Sequence, residues 1–142
     1  MQADDDGTGE LIAEVSANGF SGKGSAWFDL QRLVVFSEEL LSYPITPEKL
    51  PKIEGGFWSK EKKGILEQVH FLLKIYPIGS TGKLGAKIRV ATPRHESDRC
   101  DSQHIAEVEI ETDYNALESF AGQLKQLAKL ERSDATLNGV EV

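Results

Sequence analysis

One cysteine in 142 residues excludes an internal disulfide framework, and Cys100 therefore fits a reducing compartment. No apolar run approaches the length of a membrane span. Positive charge is also short: 16 Lys and Arg stand against 23 Asp and Glu, a formal net charge of -7. That balance opposes bulk attraction to nucleic acid or to an anionic membrane, and no Lys/Arg cluster interleaved with aromatics offsets it. The start, with Asp4-Asp5-Asp6, lacks the basic region and apolar core of a secretory leader. The expectation is an acidic, cytoplasmic protein with neither nucleic acid nor membrane as partner. The hydrophobic content, 39%, suffices for one core.

What is present is an internal echo. Asp29, Leu33, Phe36 and Leu40 recur with one constant offset as Asp113, Leu117, Phe120 and Leu124. Each set follows an alternating stretch and reads as a cap followed by one apolar helix stripe. In the first helix Leu30, Val34 and Leu41 join the stripe, and Pro44 ends it. In the second, Ala121, Leu127 and Ala128 join it. Gly122 there either costs about 1 kcal/mol against alanine or permits close packing.

Before the first cap, residues 11–17 alternate and residues 23–28 supply a second strand, so the pair reads as a hairpin with a connection over residues 18–22. Residues 45–63 are irregular, with Pro47, Pro51 and Gly55-Gly56, and a short strand fits 50–53. Val69, Phe71, Leu73 and Ile75 share one strand face. Leu84, Ala86, Ile88 and Val90 point inward on the next, with Lys83, Lys87 and Arg89 outward. In the last strand Ala106, Val108 and Ile110 alternate with Glu107, Glu109 and Glu111. The basic outer row beside the acidic one predicts antiparallel neighbours, each pair worth about 0.2–1 kcal/mol. The expected fold is α+β, a mainly antiparallel sheet of five to six strands packed against two helices. Residues 1–10 read as a disordered N-terminal tail, 11–132 as a single α+β domain and 133–142 as a loose C-terminal tail.

Motifs for chemistry are mostly rejected. Gly79 to Leu84 lacks the leading glycine of a phosphate loop and the hydroxyl after Lys83, and it opens a strand rather than a helix. A calcium loop around Asp4 to Gly7 would place Gln2 and Ala13 at oxygen-ligand positions. His95, Asp98, Cys100, Asp101 and His104 carry metal-binding atoms, but their spacing matches no zinc signature, and a charged solvent loop over 93–103 accounts for them. Cys100 has no fixed base, and the neighbouring carboxylates oppose a thiolate. Neither a catalytic residue nor a cofactor is expected, and His95, Cys100 and His104 stand as weak polar or metal candidates. Phe57-Trp58, flanked by Gly55-Gly56 and Lys60, reads either as an interface anchor or as a plug folded back on the core.

The run from Glu14 to Gly22 resembles the glycine-phenylalanine hairpin of small bacterial proteins of the WapI immunity type. Asp29-Leu30, Phe36 and Leu40 are similar to the element that follows it there, and 108–127 to its last strand and closing helix. Residues 45–63 and 93–103 have no counterpart. The resemblance implies a small, non-enzymatic cytoplasmic protein of a type in which some members neutralise a cognate toxin by direct binding. The leading expectation is accordingly a non-catalytic protein-binding domain, immunity-like. The alternatives are a small-molecule-binding or enzymatic domain using a sheet-helix cavity, with His70, Tyr76, His95 and His104 as polar groups, and a structural module forming a homodimer.

Overall fold

The computed structural model describes residues 2–3, 6–99 and 101–139. Strand β1 (Gln2–Ala3) pairs antiparallel with β2 (Thr8–Ala17), and β2 pairs with β3 (Phe20–Asp29). Helix α1 (Leu30–Glu39) follows. Strands β4 (Lys52–Trp58), β5 (Leu66–Ile78), β6 (Lys83–Ala91) and β7 (Ile105–Thr112) form a second, four-stranded sheet in sequence order, and α2 (Tyr114–Ala128) comes last. Every pairing is antiparallel. The expected class, two helices against mainly antiparallel β-structure, is the one observed.

The hairpin is tighter than its glycine content suggested. Asn18 (φ 51°) and Gly19 (φ 84°) alone make the turn, and pairing runs up to Ala17↔Phe20. Two positive φ values in a row are what a two-residue turn between right-twisted strands requires. Gly22 belongs to the strand instead, beside Gly24, which was expected there. A Cβ on Gly22 would lie 2.6 Å from Ala106 Cβ, and one on Gly24 would lie 2.9 Å from the His70 carbonyl oxygen. Bare backbone lets β3 press directly onto the four-stranded sheet.

Glycine misled a second time at β4. Gly55 and Gly56 sit inside that strand, which continues to Trp58 rather than ending near residue 53. A Cβ on Gly55 would meet the Phe28 ring at 2.7 Å, and one on Gly56 would overlap the Gln68 carbonyl oxygen. The register shifts between the two glycines, so they accommodate a bulge and a close crossing.

Both helices start as their caps dictate. The Asp29 carboxylate accepts from Gln31 N–H at 2.8 Å, and the Asp113 carboxylate from Ala116 N–H at 2.8 Å. Leu33, Phe36, Leu40, Leu117, Phe120 and Leu124 are all buried, and the helices pack against each other. Leu41 leaves the stripe and is 52% exposed, because α1 stops at Glu39, before the proline. Open space surrounds Gly122, so the close-packing reading fails and the helix-propensity cost stands.

Inward residues of β5, β6 and β7 meet the hairpin and helices in one core. The outward charges pair as their alternation predicted: Lys83 with Glu111 at 3.4 Å, Lys87 with Glu107 at 3.7 Å, and Arg89 with Glu107 at 3.5 Å. The ends are more ordered than expected. β2 begins at Thr8, and Gln2–Ala3 already pair with it. Ala135 and Leu137 pack on the core, Thr112 Oγ1 donates to the Asn138 carbonyl at 3.0 Å, and Thr136 N–H donates to Gln123 Oε1 at 3.0 Å. Residues 133–139 therefore return to the domain.

Candidate functional site

The hairpin meets the sheet unevenly, and the site follows from that. At paired positions on the core-facing side, β3 carries Gly22, Gly24 and Ala26 where β2 carries Val15, Ala13 and Leu11. Side-chain bulk holds β2 away from the sheet while β3 closes onto it. Between β2 and β7 a groove of about 750 Å³ remains.

Eight consecutive residues, 11–18, line one wall. A strand that turns a face to a cavity contributes every second residue; one that contributes all of them presents its edge. Among the described residues, β2 pairs with β1 only at Gly9 and Glu10, so from Leu11 to Ala17 its second edge has no strand partner. The opposite wall is the edge of β7 at Glu109, Ile110 and Glu111, with residues 133–139 beside it. The floor is apolar core: Phe71, Leu73, Ile88, Phe120, Leu124 and Leu127.

Every charged residue on the groove lining is a carboxylate: Glu14, Glu109, Glu111 and Asp134. Each has a neighbour at the surface. Lys23 lies 3.7 Å from Glu14, Lys83 3.4 Å from Glu111, and Arg132 3.4 Å from Asp134. The Tyr76 hydroxyl donates to Glu109. Burial, then that contact with Glu109, raises the Tyr76 phenol well above its usual range, so it stays a donor. Exposed pairs of this kind hold their partners weakly and exchange readily.

The candidates singled out in the sequence lie elsewhere. Phe57 and Trp58 are 38% and 54% exposed on β4, so they do not plug the core. The Phe57 ring stands edge-on to His70 at 4.5 Å and tilted to His95 at 5.6 Å. His70 is buried, and its Nε2 lies 3.0 Å from Gln68 Oε1. The Gln68 side chain also clasps the Arg94 backbone, donating to its carbonyl at 2.5 Å and accepting from its N–H at 3.0 Å. Burial first, and the charge of His95 second, hold the His70 imidazole below its ordinary pKa. His104 is tied to Thr92, through its own N–H to Thr92 Oγ1 at 2.9 Å and its carbonyl to Thr92 N–H at 2.9 Å. Cys100 lies outside the described residues, as do Asp4 and Asp5. Among the described residues no group of three or more His, Cys, Asp or Glu is arranged to hold a metal ion. None of His70, His95 and His104 lines the groove, and Tyr76 reaches its rim only through Glu109.

The groove itself escaped the sequence reading. Residues 11–17 announced a half-buried strand, yet which edge of a strand stays unpaired is decided by tertiary placement. Comparison with family models, curated proteins and solved structures finds no match for this chain. Among the described residues no helix is long and apolar enough to cross a membrane.

Proposed function

We propose that this chain is a non-catalytic protein-binding domain that receives an extended segment of a partner protein in the groove between β2 and β7. One observation carries the reading: a strand edge, residues 11–17, unpaired among the described residues, forms a wall of a groove floored by apolar core. An unpaired edge offers a row of backbone donors and acceptors, and an incoming strand satisfies them while burying its own apolar side chains. The resemblance to immunity proteins of the WapI type agrees with this reading and suggests a bacterial cytoplasmic protein that neutralises its partner by occupying it.

A second reading has specific support. A groove of about 750 Å³ with an apolar floor and a few polar groups is also within the size range of small-molecule sites. The two separate in one experiment. Counting the ladder from the Ala17–Phe20 closing pair, the Ser16 N–H points away from β3. Proline there removes a groove-facing donor and is tolerated on an edge strand. Capture of a specific partner from the native host, lost with Ser16→Pro and kept with Glu61→Ala in the distant β4–β5 loop, supports strand addition. Retention of a copurifying small molecule by both variants, with no protein captured by either, overturns it.

A further inference from the structure

The chemistry of the groove constrains what fits it, on the reading that an extended segment binds there. We infer that the partner segment is a cationic strand, alternating apolar with Lys or Arg residues, that adds antiparallel or parallel to the free edge of β2.

The period of a strand sets the first constraint. An added strand has its side chains on alternating faces, in step with β2. One set falls on the side of Leu11, Ala13, Val15 and Ala17, toward the apolar floor where Phe120 and Leu124 lie. The other falls on the side of Ile12, Glu14 and Ser16, level with the rim. Among the described residues seven positions of β2 have this edge free, about 23 Å at 3.3 Å per residue, enough to pair a segment of six or seven residues. Polar or charged side chains on the inner set would lose their hydration against the floor. Apolar side chains on the outer set would leave the carboxylates unanswered.

The rim supplies the sign. Glu14 stands on one wall, Glu109 and Glu111 on the other, and Asp134 at the end formed by the returning chain, with no Lys, Arg or His on the lining among the described residues. Their present partners, Lys23, Lys83 and Arg132, are long exposed side chains at 3.4–3.7 Å, and Tyr76 is neutral. A row of partner cations between the two walls can face carboxylates on both, which none of those surface cations does. Complementary charge of this kind steers encounter and fixes register.

The same rim argues against a second copy of this chain. Of its own edge strands, β2 carries Glu10 and Glu14 and β7 carries Glu107, Glu109 and Glu111, so pairing either into the groove would set carboxylates opposite carboxylates, which is destabilising. The edges β3 and β4 hold one lysine each, Lys23 and Lys52, and supply no alternating row of cations. A foreign, basic strand meets no such conflict.

Three acetylated, amidated seven-residue peptides test this directly: alternating valine and lysine, valine and threonine, and valine and glutamate. Two more repeat the valine–lysine peptide with alternate backbone nitrogens methylated, one in each register. Amide chemical shifts of the whole chain are followed during each titration. The expected result is that valine–lysine binds at least tenfold more tightly than either other sequence, with shifts concentrated on residues 11–18 and 109–111. Methylation should abolish that binding in at least one methylation register. Glu14→Gln should weaken it about three- to fivefold, the size of one exposed charge pair, without altering the fold's spectrum. Equal binding of the threonine or glutamate peptide at β2 would overturn the cationic specificity and leave the groove reading standing. Binding that both methylation registers leave intact, or shifts confined to the outer sheet face, would overturn strand addition. No shift on β2 with any peptide would overturn this inference together with the groove reading.

Discussion

The two strands of one hairpin meet the same sheet in opposite ways. β3 lies against it closely enough that an added methyl group at Gly24 would collide with backbone. β2, ten residues long like its partner, stands off and leaves a groove. The paired positions explain the contrast: Gly22 and Gly24 on the closed strand face Val15 and Ala13 on the open one. Side-chain size thus differs across a single ladder, with the small side against the sheet and the larger side beside the groove. The glycines fit the close contact of one strand, and through it the exposure of the other.

The largest test concerns the shared core. Phe36 is fully buried, whereas Phe120 is buried and also floors the groove. Truncating either to alanine should cost about 3–5 kcal/mol by urea denaturation, from lost burial plus the cavity left behind. Only Phe120→Ala should also change binding of a strand peptide. An equal effect of Phe36→Ala on binding would mean that the groove senses the whole fold rather than its own floor.

A smaller effect tests the closed side against the open one. Gly24→Val places side-chain atoms on the His70 carbonyl and the Ala91 N–H, at 2.9 and 3.1 Å from the new Cβ, and backbone cannot step aside as a side chain would. A loss of about 1–3 kcal/mol is expected. Val15→Ala, at the half-buried position of the open strand, should cost about 1 kcal/mol, within the range of losing a few methyl contacts. Equal losses would remove the asymmetry on which the account rests.

The smallest effect is set by pH on the closed side. The His70 imidazole lies below its ordinary pKa through burial, with His95 adding to the shift. The unfolded chain therefore takes up this proton first as pH falls, so stability is full above about 6.5 and declines as pH drops through that value toward the folded pKa. Stability measured between neutral and mildly acidic pH should show this decline, and His70→Gln should flatten it. An unchanged slope in the variant would assign the decline to other groups.

Local rules carried much of the fold. Two capping aspartates and a 3.6-residue period were enough to place Leu33, Phe36, Leu117 and Phe120 in the core. A period of two placed Lys83, Lys87 and Arg89 beside the glutamates of β7. The misreadings share one cause. Glycine suggests turn chemistry at 18–22 and irregular chain at 55–56, but at Gly22, Gly55 and Gly56 something else comes close, and it is distant in sequence: Ala106, Phe28 and Gln68. The ends were misjudged for a related reason, since short polar segments gave no hint of pairing with β2 or of the Thr112–Asn138 bond. Phe57 and Trp58 were noticed for their size, yet the groove is built from Leu11, Ala13, Val15 and Ser16, residues that attract no notice. What sets them apart is an edge unpaired among the described residues, a property of two elements and not of one.

Hydrogen exchange at single residues tests that property most directly. Along β2, amides alternate between bonding β3 and facing the groove. The account predicts that, between residues 11 and 17, every second amide of β2 exchanges quickly in the free protein while the amides of β3 that face β2 are protected. Uniform slow exchange along β2 would mean that its second edge is already covered, and would contradict an open groove.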